Sequence, residues 1–194
     1  RRQDLVITDA WGGSRFIHDI PTEETLLSLD GFKVDAIAKD IDRVALSKDY
    51  NNHGIWKLAT GAPLRTIHTR KGDRHWDVVP HPLYESLVAL TVPSGIEIWD
   101  IDREVMLDRA VRTEVTQAAF SPDGQQLYTA SAGRVAPAMF PISIKQLADG
   151  YAAKIGHPKP IPGTKVSRPS GRSNHLSLSK SGNTLTILDG LDSA

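Results

Sequence analysis

The stretch FSPDGQQLYTAS, residues 120–131, decides the fold of this chain. It joins an apolar residue to a turn built on Pro-Asp-Gly, and the turn leads into a second run that ends in small hydroxyl side chains. One such hairpin says little about a fold. The same hairpin at a regular spacing indicates a repeat architecture.

The hairpin occurs four times. In each copy an apolar strand leads into a polar connection of six residues, and a second apolar strand follows. The copies are VDAIAKDIDRVALS, WDVVPHPLYESLVALT, VTQAAFSPDGQQLYTAS and HLSLSKSGNTLTIL, and the residues that follow their connections are Val44, Leu87, Leu127 and Leu185.

A second landmark repeats in step with the hairpin. It is a bulky ring followed by one residue and then an Ile or Leu. This spacing is the alternation of a β-strand, with the ring and the aliphatic residue on the same face. It occurs in FIHDI, GIWKL, EIWDI and MFPI, at His18, Trp56, Trp99 and Phe140, with separations of 38, 43 and 41 residues. A joint period near 40 with four short strands per unit is typical of β-propeller blades, which stack radially because one blade cannot bury both of its faces.

The chain resembles the WD-repeat (WD40-like or YVTN-like) family of β-propellers, in a divergent form. The pair Trp99-Asp100 in GIEIWDIDRE and the hairpin FSPDGQQLYTAS carry the resemblance, which covers most of residues 1–135 and resumes at 174–190. Trp56 is followed by Lys57, and no Gly-His pair starts a blade. The Asp-His-Ser-Trp hydrogen-bond tetrad of the family is therefore not assembled in any blade. Its hydroxyl positions are matched by spacing alone, at Ser47, Thr91 and Ser131.

The predicted fold is all-β, a single propeller domain over residues 1–194 with about four and a half four-stranded blades. DLVITDA and RFIHDIP are predicted to be the second and third strands of a blade, and HLSLSKSGNTLTIL supplies two strands of another. Rings of six to eight blades close most comfortably, so we expect this to be part of a larger ring that a companion chain or segment completes. A compact ring of four or five blades is the alternative.

Residues 143–173 interrupt the period and are predicted to be an insertion. ISIKQLADGYAAKIG has apolar residues at helical spacing and predicts a short amphipathic helix. HPKPIPGTKVSRPSGRS then reads as a Pro-rich, basic, extended loop. No carboxylate lies between Asp149 and Asp189, and residues 150–194 hold six basic and two acidic residues.

Insertions in repeat scaffolds usually carry function, so this segment and two tryptophans next to turns are the predicted partner contacts. The residues are Trp11, Trp76, Tyr151, Lys154, Lys159, Lys165, Arg168 and Arg172. The basic side chains suit an acidic protein surface, a phosphate group, or solvent alone. Nucleic acid is disfavoured because Tyr151 is the one aromatic residue of the segment suited to stacking on bases.

The sequence offers no motif for catalysis. It has no cysteine, no phosphate-binding glycine loop and no nucleophile elbow, and its seven histidines include no pair at i,i+4 spacing. The Asp40/Asp42 and Asp100/Asp102 pairs lie at strand ends, where Asp favours turns. We therefore predict no catalytic residue, no metal and no cofactor.

The predicted function is a non-enzymatic, cytoplasmic protein–protein interaction scaffold. No apolar run reaches the roughly 18 residues of a membrane span, and the N-terminus lacks the pattern of a signal peptide but does not begin with Met. Two alternatives stay open. One is a sensor or regulatory region of a larger enzyme, and the other is a propeller hydrolase with a metal in its central channel.

Overall fold

The computed structural model describes residues 5–9, 14–38, 42–49, 52–68, 77–131, 135–161, 175–179, 181–182 and 184–188. The described ranges contain β-strands and no α-helix. The strands form five antiparallel sheets, numbered here in chain order. Within the same ranges no helix is long and apolar enough to cross a membrane.

Sheet 1 contains β1 Leu5–Asp9, β2 Ser14–Asp19 and β3 Glu24–Asp30, in that order. Sheet 2 contains β4 Lys33–Ala38, β5 Arg43–Asp49, β6 Asn52–Lys57 and β7 Pro63–His68. Sheet 3 contains β8 Asp77–Pro80, β9 Leu87–Val92, β10 Gly95–Asp100 and β11 Val105–Val111. Sheet 4 contains β12 Val115–Phe120, β13 Gln126–Ser131, β14 Ala138–Leu147, β15 Gly150–Ile155 and the short β16 Lys159–Pro160, which pairs with β14. Sheet 5 contains β17 His175–Leu178 and β18 Leu185–Leu188.

The four predicted hairpins are confirmed, and the turns of sheets 4 and 5 share one hydrogen-bond pattern. The Ser121 N–H donates to the Gln126 carbonyl at 2.8 Å, and the Ser121 hydroxyl accepts from the Gln126 N–H at 2.9 Å. Ser179 and Thr184 make the same two bonds, at 2.8 and 2.9 Å. The glycine three residues after each serine has a φ of 68° or 73°, in the left-handed region that glycine adopts without steric cost.

The second landmark is confirmed as a structural repeat. His18, Trp56 and Trp99 lie in the third strand of a blade, and each directly follows a shift of register against the next strand. Phe140 on β14 pairs with Leu127 of the preceding strand, as Trp56 pairs with Val44 and Trp99 with Val88, and the pairing of β14 with β15 begins at Ile142. The strands of sheet 1 thus correspond to the second, third and fourth of a blade, as the sequence predicts.

Among the described residues the core comprises three clusters, each between consecutive sheets. Sheets 1 and 2 enclose Ile17, Leu27, Leu29, Val44, Leu46 and Leu58. Sheets 2 and 3 enclose Ala45, Ile55, Ile67, Val78, Val88, Leu90 and Ile101. Sheets 3 and 4 enclose Val79, Ala89, Ile96, Ile98, Val115, Ala118, Phe120, Leu127, Ala138, Phe140, Ile142 and Ile155.

Alternate residues of one strand face different neighbouring sheets. On β9, Val88 and Leu90 pack toward sheet 2, whereas Ala89 between them packs toward sheet 4. Successive side chains of a strand point to opposite faces, so both faces of sheet 3 are covered. This is the face-to-face stacking that the period of the sequence predicts.

The innermost strands of sheets 3, 4 and 5 are joined by a recurring polar contact. Asp77 Oδ2 on β8 accepts a hydrogen bond from the Ala118 N–H on β12 at 3.2 Å. Gln117 Oε1 on β12 accepts one from the Leu176 N–H on β17 at 2.7 Å. In both cases a side chain of one sheet bonds the backbone of the next, which fixes the relative position of neighbouring sheets.

The short helix predicted in ISIKQLADGYAAKIG is wrong, because β14 and β15 form a hairpin there with Leu147 opposite Gly150. Ile142 and Ile144 follow Phe140 on one face of β14, so period-two alternation decides the local structure. The helical spacing relied partly on Ala152, which is exposed. Of the loop predicted after it, Lys159–Pro160 forms the short strand β16, and residues 162–173 lie outside the described ranges.

Candidate functional site

A cavity of about 450 Å³ lies between sheets 3 and 4, among the connections at one end of their strands. We call it the sheet 3–4 cavity. In a four-stranded meander the first and third connections lie at the same ends of the strands. Here the first and third connections of sheet 3 and the third connection of sheet 4 surround the cavity. The lining residues are Leu83, Tyr84, Glu85, Ser86, Asp100, Asp102, Arg103, Asp149, Gly150 and Tyr151.

The two connections of sheet 3 are tied to each other by backbone. The Ile101 N–H donates to the Ser86 carbonyl at 2.8 Å. The equivalent bond in sheet 4 joins the Ile142 N–H to the Gln125 carbonyl at 2.8 Å. The sheet 3 wall of the cavity is therefore held by a backbone hydrogen bond between its two connections.

Sheet 4 reaches the cavity through the outer hairpin β14–β15. The Ile155 N–H donates to Asp108 Oδ2 on β11 at 2.7 Å, and this contact holds β15 against sheet 3. Lys154 Nζ lies 3.6 Å from the same oxygen. The hairpin thereby carries Tyr151 to the cavity, where its ring centroid lies 5.1 Å from that of Tyr84.

His81 is the buried residue that shapes the sheet 3 wall. It occupies the place that Ser121 holds in sheet 4, and its Nδ1 accepts from the N–H groups of Leu83 and Tyr84 at 3.1 and 3.2 Å. Because Nδ1 accepts, Nε2 carries the proton and donates to the Gly124 carbonyl at 3.3 Å. The His81 ring thus bridges the first connections of sheets 3 and 4.

The environment of His81 favours its neutral form. Burial lowers the pKa of His81 from 6.5 to about 4, against the smaller opposing effects of the Gly124 carbonyl and of Asp123. The ring also packs on Tyr84 and Phe120, with centroid separations of 4.8 Å in both cases. His81 is therefore a neutral hydrogen-bonding bridge at neutral pH.

Asp100 lies at the floor of the cavity and is 1 % exposed. Its Oδ1 accepts from the N–H groups of Asp102 and Arg103 at 3.2 and 3.4 Å, which confirms that Asp100 organises a turn, as the sequence predicts. The other carboxylates of the lining lie at the exposed rim. The cavity therefore combines one buried carboxylate with a pair of tyrosine rings.

The contact residues predicted from the sequence fall in three places. Tyr151 lines the cavity, and it does so on a strand rather than on a helix. Lys154, 76 % exposed at its side chain, and the exposed Lys159 on β16 are not among the lining residues. Five others lie outside the described residues: Trp11, Trp76, Lys165, Arg168 and Arg172. These contacts stay predictions.

Sequence reasoning missed Leu83 and Tyr84 as site residues. They are an apolar and an aromatic residue within the polar hairpin connection HPLYES, and this departure from a polar loop was the sequence feature that could have identified them. The pairing of Tyr84 with Tyr151 had no signal, because only the fold brings these distant positions together. In the part of the chain that the structure describes, no group of three or more His, Asp or Glu side chains has the arrangement of a metal site.

Comparison with known proteins supports the fold through structure alone. No family model matches the chain, and no curated protein matches its sequence. The solved structures that match include the β-propeller domain of Cps50 (Swd1) from Myceliophteria thermophila, with a TM-score of 0.64 and 15 % sequence identity. The match covers 96 % of this chain but only 59 % of that domain. Together with the stacked antiparallel sheets, it shows that this chain has a β-propeller fold.

Proposed function

We propose that the protein is a protein–protein interaction scaffold without catalysis of its own. The observation that carries the proposal is the cavity between sheets 3 and 4, which are hydrogen-bonded to each other. Hydrogen bonds from His81 to Gly124 and from Ala118 to Asp77 join the two sheets, and connections within sheets 3 and 4 line a cavity. Side chains at fixed separations on a rigid scaffold suit recognition of a protein surface.

We also propose that the chain is a divergent WD-repeat protein. Trp99 and Asp100 support this, since they lie at the end of the third strand of a blade and Asp100 bonds the turn that follows. The hydrogen bond of the Trp99 indole is different from the tetrad of the family, because Nε1 donates to Glu97 Oε2 at 2.9 Å. Thr91, at the position matched to the tetrad hydroxyl, is fully buried.

Leu83 marks the outer part of the candidate contact surface. Its side chain is 56 % exposed on the connection that lines the sheet 3–4 cavity. An exposed leucine beside two tyrosines suits the apolar centre of an interface, where a few side chains, tyrosine prominent among them, contribute most of the binding free energy. Val111, 82 % exposed on the outer strand of sheet 3, is an apolar residue outside the cavity lining and serves as a matched control.

The test begins with isolation of a partner and ends with an affinity. The protein is immobilised, retained proteins are identified by mass spectrometry, and each candidate is purified for calorimetry against the wild type, Leu83→Ser and Val111→Ser. We expect a purified partner that binds at 1:1 stoichiometry, with Leu83→Ser weakening binding by about tenfold or more and Val111→Ser leaving it unchanged. Failure of every purified candidate to bind contradicts the scaffold, whereas equal effects of the two variants contradict the assignment of its contact surface.

A further inference from the structure

We propose that the sheet 3–4 cavity binds one cationic side chain, a lysine or an arginine, from a segment of a protein partner. This inference rests on the proposed function, because it names the chemistry of the partner at the same cavity. Three features carry it: a carboxylate oxygen at the cavity floor that accepts no hydrogen bond from a described residue, the ion pairs of the lining, and the aromatic wall.

Asp100 provides the first feature. Its Oδ1 is occupied by two backbone N–H groups of its own turn, whereas Oδ2 faces Gly150 on the opposite wall. Among the described residues, none donates a hydrogen bond to Oδ2. The Arg103 guanidinium shares the space beside it, since a Cβ at Gly150 would lie 2.8 Å from Arg103 Nη1 and 3.0 Å from Oδ2, but Arg103 pairs with Asp149 rather than with Asp100. Asp100 as a whole is 1 % exposed, so a donor that enters the cavity would replace the water that reaches Oδ2 with a charge-assisted hydrogen bond.

The ion pairs of the lining provide the second feature. The three other carboxylates each have an arginine of this chain as partner. The pairs are Glu85 with Arg43 at 2.6 Å, Asp102 with Arg65 at 3.5 Å and Asp149 with Arg103 at 3.6 Å. Asp100 is the carboxylate of the lining that forms no ion pair within 4.0 Å among the described residues, which favours one cation rather than a metal or a polycation.

The wall of the cavity provides the third feature. Tyr84 and Tyr151 are half-buried and lie with their rings tilted by 51°, and Leu83 extends the apolar surface toward solvent. Lysine and arginine combine an apolar stem with a charged head, and tyrosine faces attract such cations. A stem along the rings would direct the head toward Asp100 at the floor. The volume of about 450 Å³ holds one long side chain with part of its backbone.

Short peptides with one variable residue test the inference on the ¹⁵N-labelled protein by NMR titration. The probes are acetyl-Gly-Ser-X-Ser-Gly-amide with X as arginine, lysine or citrulline, which keeps the shape of arginine without its charge. We expect saturable shifts of the Leu83, Tyr84 and Tyr151 amide signals with the arginine or the lysine peptide. With citrulline the affinity should fall by about tenfold or more.

Two substitutions with equal change of charge separate the cavity floor from a distant carboxylate. Asp100→Asn keeps an oxygen for the two N–H groups of the turn, so the fold should survive while the affinity falls by about tenfold or more. Asp30→Asn removes an exposed carboxylate on β3 of sheet 1, outside the cavity lining, and the affinity should change by less than about threefold. The citrulline comparison uses the unaltered protein and holds even if Asp100→Asn does not fold.

Three results would overturn the inference. They are equal binding of the citrulline and arginine peptides, unchanged affinity in Asp100→Asn, and the absence of any saturable shift up to about 10 mM peptide. A purified protein partner that binds the wild type and Asp100→Asn equally would refute the cation site and leave the scaffold intact. Loss of all purified partners would refute the scaffold itself, whatever the peptides do.

Discussion

Two buried threonines, Thr91 and Thr129, differ in one hydrogen bond. Both are fully buried, and Thr129 Oγ1 donates to the Ala138 carbonyl at 3.2 Å. Within the described ranges, Thr91 Oγ1 has no hydrogen-bond partner. A buried hydroxyl without a partner opposes folding, so Thr91→Val should raise the free energy of unfolding by about 1 kcal/mol. Thr129→Val should lower it by a similar amount, and urea unfolding measures both. Changes of the same sign would contradict the difference in bonding.

Glu23 and Glu24 are adjacent but differ in backbone conformation. Glu23 has a φ of 57°, whereas Glu24 begins β3. A residue with a Cβ in the left-handed region is strained, and glycine is not, so Glu23→Gly should raise the free energy of unfolding by about 0.5–1 kcal/mol. Glu24→Gly should lower it by a similar amount, because glycine weakens a strand. Thermal unfolding of the two variants provides the comparison, and destabilisation by Glu23→Gly would contradict the strain.

His81 makes the stability of the fold depend on pH. Its pKa is about 4 in the folded protein and 6.5 as a free side chain, so the unfolded chain binds more protons between these values. The stabilisation is therefore complete above pH 6.5 and is lost as the pH falls toward 4. Its magnitude is about 3 kcal/mol at most.

The control for His81 comes from the chain itself, since serine occupies the same place in the turns of sheets 4 and 5. His81→Ser should be less stable at pH 7 but should lose less free energy of unfolding between pH 6.5 and 4.5 than the wild type. Chemical unfolding at the two pH values measures the difference. Equal losses in the two proteins would show that other groups cause the acid sensitivity.

At the scale of elements, Asp108 holds the outer hairpin β14–β15 against sheet 3. Its Oδ2 accepts from the Ile155 N–H, and Ile155 is buried. Asp108→Ala removes this acceptor, so hydrogen exchange of the Ile155 amide should accelerate by about tenfold or more. Asp108→Asn keeps an acceptor, and Lys154→Ala removes only an exposed ion pair. Both should exchange at nearly the wild-type rate, and acceleration in Lys154→Ala would assign the contact to the ion pair instead.

The repeat made most of the fold predictable from the sequence. Strand alternation and turn residues are local properties, and they locate hairpins such as that around Ser121 and landmarks such as Trp99. The outer hairpin was mistaken for a helix because Tyr151 and Ile155 satisfy both a helical period and, with Ala153, an alternating one. Pairing with the rest of β14 decides between them, and that pairing is a tertiary property.

The sheet 3–4 cavity was less predictable than the sheets around it. Asp100 could be assigned to a turn, since its Oδ1 bonds lie within three residues of sequence. The open position of Oδ2 depends on Gly150, which is far along the chain and comes close only when sheets 3 and 4 pack. Local pattern therefore identifies the residue, and the packing of two blades gives it a second role.

At the scale of the whole molecule, the sheets differ in how their faces are covered. Sheets 2 and 3 have a hydrophobic cluster on each face, whereas sheet 1 contributes to the cluster with sheet 2 alone within the described residues. A propeller sheet buries both faces only between neighbours. We therefore keep the prediction that further strands, from a companion segment or a companion chain, cover sheets 1 and 5.

Native mass spectrometry, combined with hydrogen exchange, tests this prediction. We expect an assembly or a polypeptide heavier than 21.2 kDa, in which the amides of β2 and β3 in sheet 1 exchange as slowly as those of β9 in sheet 3. Dilution of a non-covalent assembly should then accelerate exchange in sheets 1 and 5 before sheet 3, because only the outer sheets lose a neighbour. A folded 21.2 kDa monomer with uniformly slow exchange in sheet 1 would contradict the prediction and favour the compact ring.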